Sequence, residues 1–381
     1  MWKSTPVFAD VNGDGSLDLA ALPRLGNGAH VWLGDGKGTW RDASEGLGLP
    51  FSCGGGVSFG DINNDGHLDL VVADHCGGVF VYLGDGRGHW KESTGALNPA
   101  ALRHKPSAED DEGEENEPRG AEDVAIGDVN EDGFMDLVVA SRMGGGITVY
   151  FGDGSGKSWK EATSDGLPKS GWANKILLQD IDGDGHLDVV ASYSDGPRVW
   201  RGDGKGHFQP YSRGLPTSTA GGLYRGIAVG DVNEDGRSDI AVANIRTGPE
   251  IYLQTKDGAW QPTPPLQSSI KGGATAVALG DLYGDGHLDL VVGGSLSVSD
   301  RYGLFVFLGN GKAEWTELLG TNLPSKGLPF IWGLVLADVN GDGVPDLAVT
   351  TGESPVKRKK NEPLPRMQVW LNQYHKGSPK P

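Results

Sequence analysis

Short apolar segments alternate with polar turns along the whole chain, and no apolar run approaches the roughly 20 residues needed to span a bilayer. One stretch shows the pattern plainly. Val57-Ser58-Phe59-Gly60 leads into the polar loop Asp61-Ile62-Asn63-Asn64-Asp65-Gly66-His67-Leu68-Asp69. The β-branched run to Ala73 follows, then Val79-Phe80-Val81-Tyr82-Leu83, the turn Gly84-Asp85-Gly86, and a segment opening with Trp90. These read as four short strands, A to D, with the polar loop joining A to B and the glycine turn joining C to D.

The unit recurs seven times, its polar loops starting at Asp10, Asp61, Asp128, Asp180, Asp231, Asp281 and Asp338, between 50 and 67 residues apart. Strand C carries an aromatic in every unit: Trp32, Tyr82, Tyr150, Trp200, Tyr252, Phe307 and Trp370. Strand D opens with Trp40, Trp90, Trp159, Phe208, Trp260 or Trp315 in the first six. A four-stranded sheet cannot bury both faces alone, so these rings are expected to pack between neighbouring sheets rather than form a sugar-binding ladder. Seven such units predict an all-β protein, a seven-bladed β-propeller of four-stranded antiparallel blades in a single domain over residues 1–381. The expected blades span about 5–48, 55–99, 121–167, 173–215, 224–266, 274–323 and 330–376, with an acidic insertion at 104–120 and a basic one at 353–365.

Each polar loop places oxygen-bearing side chains at positions 1, 3, 5 and 9 and glycine at position 6. Ca²⁺ takes six to eight oxygens, and alternate residues converge on one ion only if the backbone curls, which glycine permits. The expected ligands are Asp10, Asn12, Asp14 and Asp18 in the first loop; Asp61, Asn63, Asp65 and Asp69 in the second; and Asp128, Asn130, Asp132 and Asp136 in the third. Asp180, Asp182, Asp184 and Asp188 form the fourth, and four carboxylates predict the tightest site. Asp231, Asn233, Asp235 and Asp239 form the fifth, and Asp338, Asn340, Asp342 and Asp346 the seventh. The sixth has Asp281, Asp285 and Asp289 but Tyr283 at position 3, and is expected to be weakest. Position 7 offers a backbone carbonyl: Ser16, His67, Phe134, His186, Arg237, His287 and Val344. Because that carbonyl would bind, the three imidazoles are not expected to be zinc ligands or catalytic groups. An EF-hand is excluded, since position 12 is apolar (Val72) where that motif has glutamate.

The pattern Gly-Asp-(Val/Ile/Leu)-Asn-x-Asp-Gly-x-x-Asp-(Leu/Ile)-x-Val, carried for example from Gly60 to Val72, resembles the FG-GAP/VCBS repeat. That repeat builds the integrin α-subunit propeller and many secreted bacterial and fungal proteins, some lectins among them. The resemblance covers essentially the whole chain and implies a propeller with calcium in its A–B loops. It does not imply one function, because the architecture hosts several.

Net charge refines the picture. At −18 the chain has no dominant basic surface, which disfavours nucleic-acid binding. Up to seven bound Ca²⁺ would cancel most of that charge, and without metal the clustered carboxylates repel one another. The A–B and C–D connections share one face, so variable B–C and D–A connections lie opposite: the acidic run Glu109 to Glu117, the basic run Lys357-Arg358-Lys359-Lys360, and the loop Ser295 to Tyr302. Recognition usually resides in such loops.

The leading expectation is therefore a calcium-binding extracellular β-propeller, a lectin-like ligand-recognition or adhesion module. It would engage a glycan or protein on the face opposite the calcium loops. The alternatives are a polysaccharide lyase or hydrolase, or a structural module of a larger surface protein. No nucleophile–histidine–acid set or nucleotide fingerprint stands out, so an enzyme is not expected. Gly152 to Lys157 superficially matches a phosphate loop, but it is a C–D turn with no helix after it. Arg201-Gly202-Asp203 lies in the equivalent turn, where glycine and aspartate are already required.

Cys53 and Cys76 are the only cysteines. With Asp61 opposite Leu68 and Val57 opposite Val72, the A–B hairpin register sets them face to face. A disulfide is expected, fitting an extracellular, cell-surface or periplasmic setting; two free thiols are the alternative. Met1 to Pro6 is no signal peptide, so a signal either precedes this sequence or is not used. Too few residues separate Trp2 from Asp10 for Trp2 to open a fourth strand of blade 7. That blade is expected to carry a stunted strand near Tyr374-His375-Lys376, or to borrow one from upstream.

Overall fold

In a computed structural model of the chain, residues 3–24, 26, 28–49, 52–95, 97, 120–141, 145–163, 165–352 and 367–374 are described. The acidic and basic runs, Trp2, His375 and Lys376 lie outside them. The described residues hold 27 strands and no helix, arranged as seven antiparallel sheets, six of four strands in A-B-C-D order and a last one of three. In blade 2, strand A (Gly55–Gly60) pairs with B (Asp69–Asp74), B with C (Gly78–Gly84), and C with D (Trp90–Glu92). From blade 1 to blade 7, strand A of one blade packs against strand A of the next, so these strands line the axis.

Strand B is buried end to end in every blade, as in Asp69–Asp74 and Asp239–Asn244, because each of its faces is covered by a neighbouring sheet. The core is accordingly not one cluster but six, each spanning two successive blades from 1–2 to 6–7. The strand C aromatics sit in these seams as expected: Tyr82 faces blade 1, Tyr150 faces blade 2 and Phe307 faces blade 5. Strand D tryptophans reach the preceding blade, where Trp90 Nε1 donates to Ala43 O (2.8 Å) and Trp260 Nε1 to Tyr211 O (2.7 Å).

The seventh seam differs. No buried apolar cluster joins blades 7 and 1 among the described residues, and Trp32, the strand C aromatic that faces it, stays partly buried against His30. Blade 7 has three strands here (Ile331–Ala337, Asp346–Thr351, Met367–Trp370), with no stunted fourth strand at Asn372–Tyr374. Those residues act as a clasp instead: Asn372 Nδ2 donates to Leu282 O and Pro345 O, and Tyr374 packs edge-on to Tyr283 of blade 6. At the axis the segment Lys3–Thr5 closes the ring. Thr350 Oγ1 of blade 7 donates to Ser4 O, Lys3 N donates to Leu22 O, and Lys3 O accepts Gly55 N (2.8 Å) from blade 2.

Cys53 and Cys76 form a disulfide (Cα–Cα 5.6 Å) at the end of the blade 2 hairpin away from the A–B loop. Buried Asp74 holds both ends, accepting Cys53 N (2.7 Å) on one oxygen and Cys76 N and Gly77 N on the other.

Candidate metal centres

All seven A–B loops close by the same hydrogen bonds. The aspartate at position 1 accepts the position 5 amide on one oxygen and the position 6 amide on the other, as in Asp61 with Asp65 N (3.1 Å) and Gly66 N (2.9 Å). Asp10, Asp128, Asp180, Asp231, Asp281 and Asp338 do the same. The position 5 aspartate then accepts the position 7 amide, as Asp14 does from Ser16 N (2.8 Å). Asn12, Asn63, Asn130, Asn233 and Asn340 each bridge to their position 5 aspartates. The chain thus draws its own oxygens into a tight polar knot of acidic side chains on one face.

The position 6 glycines all have positive φ, between +82° (Gly236) and +92° (Gly185). Position 4 does too, which the sequence reading missed. Gly13, Gly183, Gly284 and Gly341 adopt it freely, and Asn64 (56°), Glu131 (55°) and Glu234 (58°) adopt it against preference. Glycine or asparagine at five of the seven positions was the available signal. Each strained side chain reaches the next blade: Asn64 Nδ2 donates to Gly133 O (3.3 Å), Glu131 contacts His186 Nδ1 (2.5 Å), and Glu234 contacts His287 Nδ1. Two of the three position 7 histidines are therefore inter-blade ties.

The position 9 aspartates do more than a metal ligand requires. All seven are buried, at most 1% exposed. One oxygen accepts the position 2 amide of the same loop, and the other accepts the first amide of the C–D turn. For Asp188 these are Ile181 N (2.8 Å) and Gly202 N (2.8 Å); for Asp346, Val339 N (3.0 Å) and Asn372 N (2.6 Å). Burial pushes the carboxyls of Asp69, Asp136, Asp188 and Asp289 up to about 6 and that of Asp239 to about 7; the two amides oppose this and neighbouring loop carboxylates add to it.

The loops are not equivalent. In the fourth, ligand oxygens of Asp180, Asp182 and Asp188 lie within 4.8 Å of one another, the closest acidic grouping of this kind among the described residues. But Arg201 pairs with Asp182 (2.8 Å), and Arg237 pairs with Asp235 in the fifth. The first of these accounts for the Arg201-Gly202-Asp203 string: its arginine serves the loop, and Asp203 caps its own turn through Lys205 N and His207 N. In the sixth loop Tyr283 turns its ring to Tyr374. An all-oxygen donor set with buried, charge-stressed carboxylates fits a divalent cation.

The FG-GAP-like repeat profile matches residues 10–72, 61–110, 128–191, 180–242 and 231–292, each match starting on a position 1 aspartate, and the FG-GAP repeat profile matches 330–361. The chain belongs to the FG-GAP-repeat family. Among curated proteins, this FG-GAP chain is 28% identical over 220 residues to integrin alpha pat-2 of Caenorhabditis briggsae, and 28% over 221 residues to that of Caenorhabditis elegans. Each match takes in 46% of this chain and only 17% of the relative. Among solved structures, an Agrocybe aegerita lectin that recognises non-reducing terminal N-acetylglucosamine superposes with TM-score 0.55 at 15% identity, covering 97% of this chain and 95% of that one. Saccharomyces cerevisiae Sqt1 gives 0.56 at 11%, covering 92% and 79%. These likenesses bear on the fold. No described helix is long and apolar enough to cross a membrane.

Proposed function

We propose that this FG-GAP propeller is a calcium-stabilised extracellular binding module that recognises a glycan or protein on the face opposite the A–B loops. The observation that carries the reading is the division of labour between the faces. On one, seven near-identical acidic knots repeat. On the other the repeats diverge and hold the disulfide, an axial cavity, and a cleft between blades 3 and 4 lined by Trp172, Tyr193, Asp195 and Arg198. Aromatic faces beside charged groups are the usual furniture of sugar sites.

In six loops the ion would be held by the side chains at positions 1, 3, 5 and 9 and the position 7 carbonyl; in the sixth, with Tyr283 at position 3, Asp281, Asp285, Asp289 and the His287 carbonyl would remain. Its charge would offset the clustered carboxylates and fix the A–B turn against the C–D turn. The disulfide supports an oxidising compartment, and an integrin-like propeller supports adhesion or ligand binding. The test is a glycan array run with calcium and with chelator, beside thermal melts under both conditions. Retention on a glycan, lost with the fold on chelation, supports the reading. Retention undiminished in chelator, with an unchanged melt, contradicts the role given to calcium.

A further inference from the structure

At the axis, on the face away from the acidic loops, the starts of the A strands from five blades and the segment Lys3–Thr5 enclose a small solvent-open cavity of about 50 Å³. Its charges come from residues far apart in sequence: Lys3, Glu122, Asp123, Lys175 and Arg225. Lys175 pairs with Asp123 (3.0 Å), and Lys3 pairs with Glu122 (3.6 Å), which His75 also contacts. That uses both carboxylates. Among the described residues Arg225 has no ion-pair partner, and its guanidinium makes no hydrogen bond to any of them. It lies instead over the rings of Trp332 (5.0 Å) and Phe330 (5.4 Å), while Lys3 sits 5.7 Å from the same Trp332 ring.

None of the Arg225 nitrogens is a buried orphan, so this partly buried guanidinium, with five donors and no protein acceptor among the described residues, is open to the solvent of the cavity. Stacking on two aromatics fixes its plane but satisfies none of its N–H groups. The lining carries three cations against two carboxylates in a chain whose net charge is −18, so the excess positive charge is local. Burial lowers the pKa of the Lys3 ammonium, Glu122 opposing and Arg24 and Arg225 adding to the effect. An acceptor with negative charge would balance this local excess.

We infer that the axial cavity is an oxyanion site in which Arg225, flanked by Lys3 and Lys175, takes a sulfate or carboxylate group. The guanidinium fork matches two oxygens of such a group, and the rings hold the fork in place before binding. The inference deepens the recognition function proposed above by naming a ligand chemistry. It rests on that reading only for the ligand's natural source; binding of the anion itself stands alone.

Calorimetric titration of the calcium-loaded protein with sodium sulfate, at constant ionic strength made up with chloride, tests it. One sulfate should bind per chain. Arg225→Gln should weaken binding about tenfold or more while Arg225→Lys retains part of it, and Arg213→Gln, which removes a surface arginine paired with Asp257, should change nothing. Melting curves of each variant separate lost binding from lost fold. A sulfated disaccharide titrated in parallel identifies the source: tighter binding than free sulfate, still dependent on Arg225, assigns the site to an acidic glycan, and equal binding assigns it to the free ion. No sulfate binding, or binding indifferent to Arg225→Gln in a folded variant, overturns the inference.

Discussion

The carboxylate of Asp69 accepts the backbone amide of Gly84 at 2.8 Å, joining the end of the A–B loop to the start of the C–D turn. Its other oxygen accepts Ile62 N, also at 2.8 Å. The residue expected to close a calcium shell is therefore also the pin that holds two connections of one blade together. Replacing it with alanine orphans two buried amides, each costing about 1–3 kcal/mol. Asp69→Ala should lose roughly 3 kcal/mol in urea unfolding, and most of that loss should persist in chelator. A loss that vanishes when calcium is removed from both proteins would make Asp69 a ligand only.

The fourth loop combines the closest carboxylates with a competing cation. Arg201 occupies Asp182 at 2.8 Å, where an ion would otherwise draw on both oxygens. Arg201→Ala should tighten calcium binding at this loop by several-fold, readable as a raised occupancy in crystals grown at limiting calcium. The sixth loop, with Tyr283 at position 3, should empty first under chelation. Finding it filled as readily as the fourth would contradict the assignment of position 3 as a ligand.

Much of this was legible in the chain. The seven loops, the order of four strands and the aromatic seams follow from side-chain spacing, because each blade repeats one local solution. The register that set Cys53 opposite Cys76 held because the blade 2 hairpin, with Val57 opposite Val72, has no bulge. What was not legible depends on relations between blades. The double role of position 9 needs the C–D turn brought beside the loop. The Glu131–His186 tie joins residues of successive blades, and the axial cavity gathers side chains from almost the whole chain length. Closure by the Lys3–Thr5 segment was not legible because it runs on backbone contacts, single hydroxyls and the Lys3–Glu122 pair, which carry no repeating pattern.

Glu122 gives the clearest pH dependence. Burial raises its carboxyl pKa, but Lys3, the His75 hydrogen bond and Arg225 outweigh that and hold it at about 2. A folded-state pKa below the ordinary 4.5 means the unfolded chain binds the proton first as pH falls. The stabilisation is present above about pH 4.5 and is lost progressively toward pH 2. The stability gap between the protein and Glu122→Gln, up to roughly 3 kcal/mol at neutral pH, should narrow across that window. A gap that stays constant would show that Glu122 acts through packing alone.

The disulfide closes a segment with a sequence separation of 23 residues. Chain-entropy arguments put the stabilisation from such a loop at about 3 kcal/mol. Intact mass should rise by two hydrogens on reduction, and the double variant Cys53→Ser, Cys76→Ser should unfold at lower urea with the propeller otherwise intact. An unchanged midpoint would mean that Asp74, which binds the backbone at both cysteines, holds the hairpin without the covalent link.

The central claim is that the seven acidic loops are calcium rivets. Native mass spectrometry of the chelated protein, titrated with calcium, tests it most directly. The account predicts stepwise uptake of up to seven ions, the last one weakest, with the melting temperature rising as the loops fill. A protein that takes up no calcium and melts at the same temperature throughout the titration would contradict it.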